Sequence, residues 1–577
     1  MPPQLGDAHV HPVIAGPSKA KVRRNPRACD ACNRRSVRCR PALDNPSSCQ
    51  HCTDYGERCV FNRPVRRRGR PRESVSSTLQ TPLPQRTQPS ETELKSFGWV
   101  PKLAITQRMV TDLTEIFFEV VYPVFPLFHR ASLLRSVSRA EHLEDQALYA
   151  SVIAMCALSS ARARDGALVR QSWDPAELES PTSEELFEAA VHAIPSDILA
   201  NQSLGFMRAS LLLAITAIQY GSPTTMSYHL SRYHTYVAVG ALHDETNWPG
   251  GISTVEIEER RRLFWSAYTL DVFTSVVWGR AITSREASSN VHYPMEIDDE
   301  SIETRQIACE ADMVSWLRGW NYVTDMYRIL EYAVSDLQRS RAPTLRTPAV
   351  PALQELSTPS QSAVLDRITA MYAELPDIFK TTAPPTLNFR QDLYSFQAAN
   401  ITATVQLVRM IYFSSDDSRL EQKCHIASEV LAAFASMPIT YLRAISSPLL
   451  YHLAEIGKTL GAAFKSGMSA SLYHSVRSVL IDLTAFLAEM EKKLCCPTDA
   501  SKKLEAQVMR IDSFILEQRQ LSGQAQAVSS EVDVARNSVA SDSSILTSSV
   551  TALEQQSPDF FVPPELLEDW DWAFSFN

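Results

Sequence analysis

With 577 residues, 45% of them hydrophobic, the chain has material for a large core, and no single small module accounts for it. Its 34 prolines against 17 glycines favour helices separated by Pro-rich breaks over a glycine-turned sheet protein. The net charge of −9 conceals an asymmetry: residues 19–72 hold 16 Lys and Arg against four acids, a local +12 that leaves −21 elsewhere, and six acids with no basic residue lie from Thr551 onward. That pattern points to a nucleic-acid partner for the basic segment alone. The best apolar run, 206–218, is too short for a bilayer and carries Arg208, so the reading excludes a membrane partner. The opening MPPQLGDAHVHPV lacks the basic start and apolar run of a secretory signal, which implies a reducing compartment for the eleven cysteines.

In chain order, residues 1–28 read as a disordered arm, His9 and His11 included. Residues 29–59 carry the pattern Cys29-x2-Cys32-x6-Cys39-x9-Cys49-x2-Cys52-x6-Cys59, a duplication of one C-x2-C-x6-C unit. Two separate tetrahedral sites would need eight ligands, so six thiolates serve two metals only if two sulfurs bridge. The duplication makes Cys29 and Cys49 the natural bridging pair, with Cys32 and Cys39 completing one zinc and Cys52 and Cys59 the other. Such a closed shell leaves no position for water, which makes the site structural rather than catalytic. A segment this short has no adequate apolar core, so two zinc ions would supply most of its folding free energy. Other readings of the cysteines are an iron–sulfur site, three disulfides, or unrelated thiols; the compartment opposes disulfides, and iron–sulfur sites rarely show this twofold repeat.

The run Arg27-Ala-Cys29-Asp-Ala-Cys32-Asn-Arg-Arg-Ser-Val-Arg-Cys39 resembles the signature of the fungal Zn2Cys6 binuclear cluster family. The resemblance implies double-stranded DNA with CGG half-sites as the partner, read by the C-terminal end of the short helix after the first Cys. It sets Arg34, Arg35, Ser36 and Arg38 on or beside that helix. Ser36 and Asn33 stand where the family usually has basic residues, and Ser discriminates bases poorly, so Arg35 is the expected base reader. Arg38, Arg40 and Arg58 are expected on phosphates, which fix position without carrying sequence information.

Residues 60–100 read as a basic, then Pro/Ser/Thr-rich linker. Within it Arg66, Arg67, Arg68 and Arg70 form a block that serves as an import signal or phosphate contact, and alternatively as a minor-groove arm. From 101 to 520 the pattern turns helical, beginning with Ile105, Met109, Leu113, Ile116 and Val120. Further stretches fall near 146–161, 184–194, 204–219, 226–241 and 255–278, then, after a Pro-rich break, near 361–380, 391–413, 421–436, 441–464, 469–494 and 501–519. Phe117-Phe-Glu-Val-Val-Tyr-Pro-Val-Phe-Pro-Leu-Phe-His129 and Glu256-Ile-Glu-Glu-Arg-Arg-Arg-Leu-Phe-Trp265, followed by Asp271 and Gly279-Arg280, resemble the fungal-specific regulatory domain over about 110–300. Glu256 with Arg260, and Glu258 with Arg262, read as i,i+4 pairs on a solvated face. Asp298-Asp299-Glu300 reads as a surface loop. The stripe Leu472, Val476, Val479, Leu483, Phe486, Met490 suits a bundle face better than a homodimer seam, since it spans under three heptads. No clustered catalytic ligands are found, so no enzyme is expected.

Residues 521–557 read as a disordered linker, and 558–577 as an acidic, aromatic activation region. If that end becomes helical, Leu567, Trp570 and Phe574 share one face suited to a coactivator groove. The fold class expected is mostly α: a small two-zinc module, then a large all-helical regulatory domain. The function expected is a nuclear transcription factor for RNA polymerase II, an activator of one pathway such as a secondary-metabolite gene cluster. A repressor or a regulator of nutrient catabolic genes is the alternative.

Overall fold

Two helices, α1 (Asp30–Arg34) and α2 (Gln50–Asp54), begin directly after the first cysteine of each half-repeat. The computed structural model describes residues 28–34, 37, 39–42, 48–56, 58–61, 99–170, 173–304, 314–340, 361–386, 388–414, 420–445, 469–494 and 499–537, with 453, 456, 457, 460, 464 and 562. It divides into two units, 1–90 and 91–577. In the first, the Gln50 N–H donates to the Arg40 carbonyl at 2.9 Å and Asp30 N–H to that of Val60 at 2.9 Å, tying the start of each helix to backbone outside it. Cys29, Ala31, Cys32, Cys49 and Cys52 are its buried side chains, so sulfur stands where a domain usually has Leu and Phe.

Helices make up the second unit among the described residues, and several start where a polar side chain satisfies free N–H groups. Helix α3 (Gln107–Ile116) is capped by Thr106, which accepts from Met109 N–H, so Ile105 lies ahead of the helix rather than in it. It runs into a π-helical turn, Phe117–Val121, closed by Tyr122 N–H on the Phe117 carbonyl at 2.9 Å. Pro123 and Pro126 then turn the chain to α4 (Arg130–Ser138). Asp145 caps α5 (Gln146–Arg164), in which every residue from Tyr149 to Ala163 is buried. Helix α6 (Ser183–Ala193) opens with a capping box of Thr182 and Glu185, and α7 (Leu204–Gln219) with Ser203. Helices α6 and α7 flank α5, and a Cβ on Gly205 would stand 2.5 Å from the Ala147 carbonyl oxygen, so only glycine permits that approach.

Helix α8 (Pro223–Gly240) starts on proline, whose missing N–H costs nothing there. Helix α9 (Thr254–Trp278) ends at Gly279 with φ +64°. After α10 (Asp299–Thr304) come α11 (Leu317–Ser340), α12 (Gln361–Glu374), α13 (Phe389–Ser414), α14 (Leu420–Ala435), α15 (Ile439–Ile445), α16 (Ala470–Glu491) and α17 (Ala500–Asn537). One continuous apolar core links Met109 to Ile515 and takes in Val562 as well. The fold is mostly helical with a cysteine cluster near the N-terminus, and no strand forms among the described residues beyond two isolated bridges.

Two expectations are corrected and a third is upheld. Helix α11 had no counterpart in the sequence reading, although Leu317, Trp320, Val323, Leu330 and Val334 are all buried. Gly319 and the β-branched and aromatic residues around it have poor helix propensity, and burial against α13 overrides it. Helix α17 continues to Asn537, into the stretch 521–557 read as disordered. The stripe on α16 is consumed internally: Val476, Val479, Leu483 and Met490 are buried within this one chain, with α14 and α17 packed on the helix. The bundle-face reading of that stripe therefore holds.

Candidate metal centre

Each C-x2-C step folds into one helical turn, which brings a backbone N–H onto the preceding sulfur. Cys32 N–H donates to Cys29 Sγ and Cys52 N–H to Cys49 Sγ, both at 3.4 Å. The six sulfurs gather into two groups of four, Cys29, Cys32, Cys39, Cys49 and Cys29, Cys49, Cys52, Cys59, with ligand atoms within 4.8 Å of one another. Cys29 and Cys49 belong to both groups. The Cys29–Cys49, Cys29–Cys52 and Cys32–Cys49 sulfur separations are 3.8, 3.6 and 3.5 Å. Four sulfurs set about 2.3 Å from a tetrahedral zinc are about 3.8 Å apart, whereas a disulfide needs about 2.05 Å. The donor set fits a thiophilic tetrahedral metal, and these three sulfur separations are all far longer than a disulfide bond.

Electrostatics distinguishes the two shared sulfurs from their neighbours. Burial opposes ionisation at each, but at Cys49 it is outweighed by the Cys52 N–H and the adjoining thiols, which bring the thiol down to about 6. At Cys29 burial is likewise outweighed, by hydrogen bonds from Cys32, and the thiol is lowered. Cys32 and Cys52 are pushed up by burial and by the Cys29 and Cys49 sulfurs beside them. A divalent metal among such groups would displace the remaining protons.

Of the expected DNA contacts, Arg34 closes α1, while Arg40 and Arg58 are exposed in the same unit as the cluster. Arg35, Ser36 and Arg38, the basic residues Arg66, Arg67, Arg68 and Arg70, and the tail residues Leu567, Trp570 and Phe574 lie outside the described residues. So do His9, His11, Cys309, Cys495 and Cys496. Cys156 and Cys424 are buried in helices of the second unit, as packing thiols should be.

Sequence reasoning missed the ionic centre of the helical body. Glu256 and Arg260 do pair, at 2.8 Å, but Glu258 is buried and turns to Arg261 and to the Met295 N–H, each at 2.8 Å. Arg262 is 0% exposed and reaches not Glu258 but Asp299, at 2.7 Å. Asp299 also accepts from Tyr122 Oη and from Arg130 N–H, both at 2.7 Å, so it is a buried hub at the start of α10 rather than part of a surface loop. Burial would raise its carboxyl, but Arg262 foremost among its partners holds it below the usual range. Only the fold brings these residues together, and no local spacing announces it.

A Ser284, His234, Asp271 grouping resembles a hydrolase triad in composition. Its His234–Asp271 separation is 3.7 Å, and Asp271 is committed to the N–H groups of Thr283 and Ser284 at 2.6 and 2.8 Å. The carboxylate closes the loop after α9 instead of orienting a base.

Residues 114–314 match the model of the fungal specific transcription factor domain. A provisionally named transcriptional regulatory protein of Saccharomyces cerevisiae is 28% identical over 141 residues, 24% of this chain and 17% of that protein. A transcriptional activator protein of Neurospora crassa is 23% identical over 215 residues, 35% of this chain and 21% of that protein. An uncharacterized transcriptional regulatory protein of Schizosaccharomyces pombe is 24% identical over 209 residues, 35% of this chain and 55% of that protein. The chain thus spans between about a sixth and just over half of the length of these relatives. These names point to transcription regulators rather than enzymes for the matched stretch 114–314.

Proposed function

We propose that the chain is a nuclear, sequence-specific DNA-binding factor acting on transcription by RNA polymerase II. The observation that carries this is the pair of four-sulfur groups sharing Cys29 and Cys49, in a chain whose helical body matches a fungal transcription factor domain. In this reading two zinc ions are held by the six cysteines, with Cys29 and Cys49 bridging. They fix α1 so that Arg34, Arg35, Ser36 and Arg38 face the major groove, with Arg35 reading guanine in a CGG half-site. Arg38, Arg40 and Arg58 neutralise phosphates, and Arg66, Arg67, Arg68 and Arg70 add sequence-independent attraction.

The site performs recognition, not chemistry. The cysteines hold the short module rigid, and its arginines supply direction and charge. Full-length protein carrying two zinc ions should bind a CGG-containing duplex in fluorescence anisotropy and lose that binding when a chelator removes the metal. Arg35→Ala should cost about 1–3 kcal/mol and relax preference at one base. Arg40→Ala should weaken all sequences alike and lower the salt slope by about 1. Equal affinity for CGG and scrambled duplexes in the zinc-loaded protein contradicts the reading.

Residues 558–577 are the activation region in this proposal, docking Leu567, Trp570 and Phe574 into a coactivator. Deleting them should abolish reporter output while leaving DNA affinity intact. Unchanged output instead favours a repressor with the same DNA module. Val562 is buried with the core of the helical body, so the tail meets that body at this residue.

A further inference from the structure

Helix α5 is buried along almost its whole length, yet near its end it carries an arginine. Arg162 is 3% exposed. Its Nη1 donates to the Ile445 carbonyl at the end of α15, at 3.0 Å, and its Nε is buried with no hydrogen-bond partner. Among the described residues no carboxylate forms an ion pair with it. Asp165, one turn further on, favours the charge from a distance, but it is held by Gln219 and lies 3.5 Å from Arg164. Burial brings the guanidinium down to about 10, which leaves it charged at neutral pH. A buried cation with no carboxylate in ion-pair contact among the described residues is a costly arrangement, and that cost falls when an anion arrives.

Arg162 borders a cavity of about 60 Å³ walled by Val121, Phe125, Phe273 and Trp320, with Asn400 and Thr404 as polar neighbours. Val121 belongs to the π-helical turn, a departure from α-helix that recurs at functional sites. At roughly 10–15 Å³ per water, the space holds about four to six waters, the bulk of a short-chain acid. One fixed positive charge at the edge of an apolar chamber matches a ligand with one negative charge and a short hydrocarbon tail. A phosphate, with up to two charges and no apolar part, matches neither the single cation nor the walls.

We propose that this cavity is a binding site for a small monocarboxylate, its carboxylate paired with Arg162 and its tail set among Phe125, Phe273 and Trp320. The walls come from the π turn and the segment after it, α5, α9, α11, α13 and α15, so an occupant would brace the early part of the body against the late helices. The inference rests on the cavity and its cation, and is independent of any reading of the DNA module.

The test uses the full-length chain with butyrate as probe, following isothermal titration and the thermal transition of the helical body. Butyrate should bind saturably and raise the transition, whereas 1-butanol and sodium chloride at matched ionic strength should not. Arg162→Met should weaken butyrate by about 10–100-fold, the scale of losing one charge-assisted hydrogen-bonded pair. Because that variant also removes the bond to Ile445, Ala403→Leu serves beside it: it fills the cavity, keeps Arg162, and should abolish binding with helicity unchanged by circular dichroism. Failure of acetate, butyrate and hexanoate to bind saturably overturns the proposal. So does equal stabilisation by chloride, or undiminished butyrate affinity in both variants.

Discussion

Among the described residues of the N-terminal unit the buried side chains are four cysteines and one alanine; in the body they are mainly leucines, valines, isoleucines, alanines and aromatics threaded through one core from Met109 to Ile515. The first has almost no apolar surface to remove from water, so its order depends on whatever binds its sulfurs. The second is held by burial, and its most buried ion pair joins residues distant in sequence, Arg262 and Asp299. The contrast teaches that a chain can carry two independent grounds for stability, one set by metal supply and the other by temperature, denaturant and pH.

The sharpest way to break this contrast is to remove metal. Chelation should abolish hydrogen-exchange protection in residues 29–59, since structural zinc supplies on the order of 10–16 kcal/mol to small modules, while the thermal transition of the body stays in place. A matching downward shift of the body would show that the two units are not independent.

The next largest effect belongs to the buried ion pair. Arg262→Met leaves the Asp299 carboxylate without its cation and should destabilise the body by about 3–5 kcal/mol in urea titration. DNA affinity of the zinc-loaded protein should not change.

A smaller effect is pH-dependent. His229 is buried edge-on to Phe187, with ring centroids 5.4 Å apart, and burial followed by Arg232 pushes its imidazole down to about 4. An unfolded histidine titrates near 6.5, so between about 6.5 and 4 the unfolded chain binds the extra proton. Stability from this group is complete above about 6.5 and is lost as pH falls toward 4. His229→Gln should flatten that part of the pH–stability curve, as followed by thermal melts. Smallest of the four, Thr182→Ala removes the capping box of α6 and should cost about 1 kcal/mol.

What could be read in advance follows the same division. The cysteine spacing is local and periodic, so the grouping around Cys29 and Cys49 was legible from ligand counting alone. Helices such as α7 and α9 were legible because apolar residues recur at helical spacing. The role of Arg262 was not, because its partner lies 37 residues away and a run of Glu and Arg looks the same on a wet face as on a dry one. Helix α11 carried a usable signal in the three- and seven-residue steps of Leu317, Trp320, Val323 and Leu330, which its weak formers obscured. The Arg162 cavity has no sequence signature, being walled by a π turn and five helices that meet only after folding.

The core passes residue 314, where the family match ends, without a seam. Trp320 Nε1 donates to the Val124 carbonyl at 2.9 Å, and Gln397 reaches the Pro123 carbonyl just before it. The matched stretch is therefore a unit of ancestry but not a unit of folding. An expression fragment cut at 314 would strip its own opening turn of α11 and α13, and it should be insoluble where a fragment spanning 99–520 is not.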